Sequence, residues 1–203
     1  MRLPSACVLA LTVAACSTAS DHPAPVATAV PPVTSGPPLT AARPPLGPGS
    51  IGYYRFPAVR GDVIVFAAEG DLWQVARTGG VASRLTSHLG NESSPAISAD
   101  GATVAFSAAY EGPTEVYTMP RAGGTPVRRT FDGADAKVVG FAPDGALLYA
   151  TRRYSTLPEM QLFRLDLTTG ERTPVPLGQA ADGCFSTDGR TLFFTRLRSE
   201  SVV

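Results

Sequence analysis

This sequence predicts an all-β fold made of repeated four-stranded antiparallel units, and three observations point there. Its 203 residues include 20 glycines and 19 prolines, a composition for short strands and tight turns rather than helices. Markers recur: Asp100-Gly101, Asp144-Gly145 and Asp188-Gly189 each lie 44 residues apart, Gly79-Gly80 returns 44 on as Gly123-Gly124, and Trp73 returns as Tyr117 after 44 and as Phe163 after a further 46. Between the markers, apolar and polar residues alternate with the period of a strand.

The N-terminus reads as an address. Met1-Arg2 supplies one positive charge ahead of the small and apolar run Ser5–Val13, which is too short for the ~20 residues of a membrane span. Val13-Ala14-Ala15-Cys16 resembles a bacterial lipobox, so residues 1–15 are expected to be a lipoprotein signal peptide and Cys16 the lipidated first mature residue. A lipid bilayer, reached through Cys16, is then the first expected partner. Residues 17–50 hold 9 of the 19 prolines and few large apolar side chains, so 16–50 reads as a disordered, semi-rigid tether. The expected location is the bacterial cell envelope, facing periplasm or exterior.

In the body, Val63–Ala67 runs through Glu69-Gly70-Asp71 into Leu72–Val75, and Gly79-Gly80 leads to a third strand near Ala82–Leu85. A fourth short strand is expected at Pro95–Ser98, before Asp100-Gly101 restarts the cycle. The second copy reads Thr103–Phe106, Glu115–Met119 and Pro126–Arg129; the third reads Leu147–Ala150, Gln161–Leu165 and Arg172–Val175. Asp-Gly and Gly-Gly supply the positive φ that tight hairpins need. Four strands per repeat is the signature of a β-propeller blade. The predicted fold is a partial β-propeller of about three blades over residues 51–197, preceded by the signal and tether. Trp73, Tyr117 and Phe163 are expected to fill space between blades, and Asp100, Gly101, Asp144, Gly145, Asp188 and Gly189 to shape turns.

Composition narrows the chemistry. The 17 Lys and Arg cancel the 17 Asp and Glu, which argues against a nucleic-acid footprint. Three cysteines build no disulfide framework. Gly47–Gly52 spells GxGxxG, but a proline tract precedes it where a dinucleotide site needs a strand. Arg60-Gly61-Asp62 and Asn91-Glu92-Ser93 read as accidents of a turn-rich chain. The only histidines are His22, in the tether, and His88, expected to be a solvated loop residue. No G-x-S-x-G elbow is present, and two histidines with one mature thiol cannot make a zinc site. Cys184 is expected to be a small buried hydrophobe. No catalytic, cofactor-binding or metal residue is assigned, and no cofactor is expected.

Ser94-Pro95-Ala96-Ile97-Ser98-Ala99-Asp100-Gly101-Ala102-Thr103-Val104-Ala105-Phe106 resembles the blade signature of TolB-type, WD40-like propellers. Residues 53–196 more narrowly resemble the first propeller of tricorn protease homologues. The strings that carry this are Tyr53–Pro57, Gly70–Trp73, Leu85–Ser87, Gly90–Pro95, Tyr110–Tyr117 and Thr191–Leu197. That resemblance implies a six-bladed ring ahead of a serine peptidase of the carboxyl-terminal-processing class, whose serine and histidine lie in later domains. No position here matches that region, so the resemblance implies a chain inactive alone. It also implies propellers that screen and channel peptides, making peptides or the remainder of such a peptidase the expected partners. Two departures stand out. The family is best known as intracellular, whereas this chain carries an export signal; and residues 198–203 carry no blade signature, which reads as a truncated or frameshifted product. The alternative reading is a free-standing, lipid-anchored propeller that binds protein partners in the envelope.

Overall fold

The computed structural model describes residues 52–156 and 159–196; Cys16, the signal peptide, the tether and the 198–203 tail lie outside them. The described residues form strands and turns without a helix. Strands β1 (Arg55–Arg60), β2 (Val63–Ala68), β3 (Asp71–Ala76) and β4 (Ser83–Arg84) make the first antiparallel sheet, in sequential order. Strands β5 (Glu92–Ile97), β6 (Thr103–Ala108), β7 (Glu115–Pro120) and β8 (Val127–Arg128) make the second. Strands β9 (Ala136–Phe141), β10 (Leu147–Thr151), β11 (Gln161–Leu165) and β12 (Arg172–Pro174) make the third, and β13 (Asp182–Phe185) pairs with β14 (Leu192–Thr195).

The repeat length is that of the sequence, but its phase differs. The strand expected to close the first unit is β5, and it pairs with β6, so it opens the second sheet. A period fixes the spacing of strands and leaves open which one begins a sheet; the short Ser98–Thr103 turn decides it, because adjacent strands joined so tightly pair with each other.

First strands share a second device. Pairing slips between Arg55 and Ala58 and between Ser93 and Ala96, and in both bulges the residue before a proline is left-handed: Phe56 at φ 52° and Ser94 at φ 50°. Proline cannot donate to a ladder, so Pro57 and Pro95 fall where the ladder is interrupted. In the third sheet a similar slip leaves Val139 unpaired without a proline.

Packing between sheets follows from strand alternation. Val104, Phe106 and Ala108 meet Val65, Ala67 and Leu72 of the first sheet. Ala105, one position over, meets Tyr149, Leu147 and Val138 of the third. Phe106 and Tyr149 are fully buried, and Phe106 contributes roughly 1.5–3 kcal/mol by removal from water. A backbone clasp recurs at each seam: Glu92, Ala136 and Ala180, each 44 apart, donate their amides to Gly70, Thr114 and Met160 carbonyls at 2.9, 2.8 and 2.9 Å.

Tyr117 packs with the first-sheet core and Phe163 with the second-sheet core. Both therefore lean on the preceding sheet. Trp73 occupies the same place in β3, has no preceding sheet among the described residues, and is only half-buried, its indole N–H donating to Ala68 carbonyl at 3.1 Å.

Candidate functional site

The turn aspartates come first because sequence singled them out. Asp100 Oδ1 accepts from Ser98 Oγ at 2.5 Å and Ala102 amide at 3.0 Å; Asp188 repeats this with Ser186 at 2.5 Å and Arg190 amide at 3.1 Å. These bonds, the serine hydroxyl foremost, hold both carboxyls below the usual carboxylate range. Asp144 accepts from Ala146 amide at 3.3 Å, and with Ala142 in place of the serine its other oxygen pairs with Arg164. Gly101, Gly145 and Gly189 follow at φ 73°, 89° and 71°. All three aspartates are exposed and spent on turns.

A different set of acids is buried. Asp71 and Glu115, first residues of β3 and β7, are 3% and 1% exposed, and Glu92, first of β5, is 1% exposed. They gather where the β2–β3 and β6–β7 loops meet the crossings from one sheet to the next. Thr86 and Thr130, also 44 apart, accept from the Leu72 and Val116 amides at 2.8 and 2.9 Å. Each threonine hydroxyl then donates to a carboxylate: Thr86 to Glu92, and Thr130 to Glu115.

Their electrostatics diverge. Glu92 also accepts from Leu72 amide at 3.0 Å and from the Tyr110 hydroxyl, but no cation among the described residues touches it, and burial raises its pKa. Burial works against ionised Glu115 as well. There, hydrogen bonds from Thr130, Gly133 amide at 3.0 Å and Arg128 at 3.0 Å outweigh it and the pKa falls. Asp132 is raised by burial in spite of Arg172 at 2.6 Å. Burial and the bond to Glu92 push the Tyr110 hydroxyl well above its ordinary value.

Above Thr86 and Tyr110 lies an open groove of about 490 Å³ at the seam of the first two sheets. His88 stands in it, exposed, its ring 3.8 Å from that of Tyr110 between centroids, with Nδ1 accepting from Gly90 amide at 2.9 Å. That bond leaves Nε2 for the groove. Arg128 bridges Glu115 and, at 2.9 Å, Glu111, while its guanidinium lies 4.6 Å from the centroid of the exposed Phe131 ring. Tyr117 and the Gly124–Pro126 turn complete the wall. The groove offers an imidazole, a guanidinium, a carboxylate and aromatic surface, held by a buried hydrogen-bonded base.

The sequence read alone singles out neither Glu115 nor Tyr110 as a site residue, and offers Glu92 only as an acid that could orient His88. Its own spacing could have found part of the set, since Arg84-Leu85-Thr86 returns as Arg128-Arg129-Thr130 and Asp71 as Glu115. Cys184 corrects an expectation: it is exposed, not buried. It sits opposite Phe193, itself 58% exposed, and no sheet covers that pair among the described residues. No group of three or more His, Cys, Asp and Glu suited to a metal occurs among the described residues.

Comparison with known proteins places this geometry. Residues 51–202 match the tricorn protease N-terminal beta propeller domain. A tricorn protease homolog of Streptomyces coelicolor is 33% identical over 137 residues, 66% of this chain and 13% of that protein. A tricorn-like protease N-terminal subunit of Sulfurisphaera tokodaii is 25% identical over 143 residues, 68% of this chain and 72% of that protein. Among solved structures, a TolB from Agrobacterium tumefaciens superposes with a TM-score of 0.62 at 24% identity, over 70% of this chain and 53% of that one, and shares the fold.

Proposed function

The chain belongs to the family of tricorn protease N-terminal β-propeller domains, and from that premise we propose that it is the non-catalytic propeller segment of an exported, lipid-anchored tricorn-like peptidase, holding extended polypeptide at the seam of its first two blades. The groove around His88, Tyr110 and Arg128 carries the reading. A peptide backbone needs donors and acceptors along its length and apolar surface between them. His88 Nε2, Arg128, Glu111 and the rings of Tyr110 and Tyr117 supply both. The buried acids beneath are the frame: Thr86, Glu92 and Tyr110 fix one wall, and Glu115 with Thr130 fixes Arg128.

Titrating the full chain with a library of fluorescent, unstructured peptides tests this. Saturable binding that weakens at least several-fold in His88→Ala and Arg128→Gln, with circular dichroism unchanged, is the expected result. Binding indifferent to both substitutions removes the groove from the reading. Hydrolysis of the same peptides by the chain alone would contradict its non-catalytic role. Lipid anchoring belongs to the same proposal through Val13-Ala14-Ala15-Cys16. A mature protein starting at Cys16 with acyl mass is expected, since two or more chains give stable anchoring. An unmodified Cys16 would remove the anchor.

The second reading, a free-standing propeller subunit that binds protein partners at the envelope, draws on the Sulfurisphaera relative. That protein is named as an N-terminal subunit, and the alignment spans 72% of it. Co-purification of the native protein with a separate peptidase chain would favour this reading.

A further inference from the structure

The side-chain polarity of the first-seam groove leans to donors. His88 Nδ1 accepts from Gly90 amide at 2.9 Å, so the neutral ring carries its proton on Nε2, which is a donor. Arg128 spends three of the five guanidinium N–H groups, on Thr130 carbonyl at 2.8 Å, Glu111 at 2.9 Å and Glu115 at 3.0 Å, which leaves two. The Thr86 and Tyr110 hydroxyls both donate to buried Glu92. Ser87 and Thr125 add hydroxyls that can donate as well as accept. The carboxylate lining the groove, Glu111, already holds Arg128.

Its apolar part is a run of rings. His88 lies on Tyr110 at 3.8 Å and Tyr110 on Tyr117 at 4.6 Å between centroids, with Pro126 on the same wall. The second seam carries the same tyrosine and arginine 44 residues on, as Tyr154 and Arg172, but Asp132 stands where His88 does. There Arg172 pairs with Asp132 at 2.6 Å and reaches the Tyr154 hydroxyl at 3.1 Å. A carboxylate in place of the imidazole closes those polar groups on one another. The excess of donors belongs to the first seam.

An ordinary peptide brings an N–H for every carbonyl, and its N–H groups would find few side-chain acceptors here. Proline brings the carbonyl without the N–H, and a proline-rich chain is already extended, with no internal hydrogen bonds to break. We propose that the groove selects a proline-rich segment of a separate polypeptide in the polyproline II conformation, its rings on His88, Tyr110 and Tyr117 and its carbonyls on His88 Nε2 and Arg128. Glu111, whose side chain is 69% exposed, takes a lysine or arginine flanking the prolines. This rests on the proposed function and names the class of polypeptide that the same groove holds.

The test titrates the full chain with labelled, end-blocked peptides by fluorescence anisotropy. The reference peptide carries two Pro-Pro steps and a flanking arginine, and saturable binding is expected. Replacing its prolines with alanine restores the N–H groups and should weaken binding about tenfold; N-methylalanine, which also lacks the N–H, should recover most of that loss. His88→Phe keeps a ring on Tyr110 without the Nε2 donor and should weaken the reference peptide several-fold, with circular dichroism unchanged. Replacing the peptide's arginine with alanine should cost affinity in the parent chain and little in Glu111→Gln, where Glu115 still holds Arg128. Proline and alanine peptides bound equally well, both weakened by His88→Ala, would overturn the proposal and leave the groove a general peptide site. N-methylalanine falling as far as alanine, or binding indifferent to His88→Phe, would also overturn it, because the donor excess would not be the cause. If none of the peptides binds, the proposed function falls with it.

Discussion

The second sheet and the β13–β14 pair are the same unit under two conditions. In the second sheet, Phe106 is flanked by β5 and β7 and covered by the first sheet, and is fully buried. In the pair, Phe194 has the same sequence context and the same serine–aspartate turn, yet is 42% exposed. Local sequence therefore makes the hairpin, and neighbouring strands and sheets make the core. Repeat proteins behave this way because each unit buries its faces only by stacking.

The largest expected effect breaks that comparison most directly. Phe106→Ala removes a side chain packed on all sides and should cost about 3–5 kcal/mol. Phe194→Ala removes one still partly in water and should cost less than about 1 kcal/mol. Urea titrations of the two variants measure this. Equal losses would mean that β14 is as fully covered as β6.

Next come the ion pairs. Arg128 is 20% exposed and Glu115 1% exposed, so Arg128→Met leaves a buried carboxylate short of a charged partner and should cost about 1.5–3 kcal/mol. Lys137 and Asp182, which join β9 to β13 at 2.5 Å, are 36% and 53% exposed. Lys137→Met should cost about 0–1 kcal/mol, most of it gone in high salt. A double-mutant cycle on each pair checks the contrast. A Lys137–Asp182 coupling as large as that of Arg128–Glu115 would put water-excluding structure around the pair's edge.

The pH dependence sharpens the same contrast, because the second sheet carries two buried acids shifted in opposite directions. The pKa of Glu115 is lowered, so its stabilisation is present above the unfolded value and is lost as pH falls through the folded one. That of Glu92 is raised, so its contribution is present below the unfolded value and is lost as pH rises through the folded one. Stability against pH should flatten on the acid side in Glu115→Gln and above the unfolded Glu value in Glu92→Gln. If Glu92→Gln leaves the curve unchanged, Glu92 is ionised in the fold and a cation or solvent reaches it.

Much of this was legible in the sequence, and the illegible part has a physical reason. The 44-residue spacing, the hairpin turns and the strands at 63–67, 103–106 and 147–150 follow from local patterns. Phase did not, since Pro95–Ser98 reads equally well as the last strand of one unit or the first of the next. The buried acids did not either. Glu92 and Thr86 meet only through the crossing between sheets, and the repeat of Asp71 as Glu115 gives a spacing but no sign of burial. Within the groove, His88 is exposed as a loop residue should be, but its stacking on Tyr110 depends on two sheets coming together.

Cys184 gives the smallest effect and the finest probe of the comparison. In a short apolar–small context, Gly183-Cys184-Phe185, burial was the natural expectation, and a complete sheet would have produced it. The matching first-strand residue of the second sheet, Ala96, pairs with Ala105 and is buried. Cys184 pairs with Phe193 and is open. With Cys7 and Cys16 changed to serine, a thiol reagent should label native Cys184 at a rate close to that of the urea-unfolded chain, because no opening step precedes access. Labelling should leave the unfolding midpoint almost unmoved, as the added group projects from an uncovered face. Slow labelling that accelerates only in denaturant would show that this face is covered in solution. The difference between the second sheet and the β13–β14 pair would then lie in what packs on them, not in whether anything does.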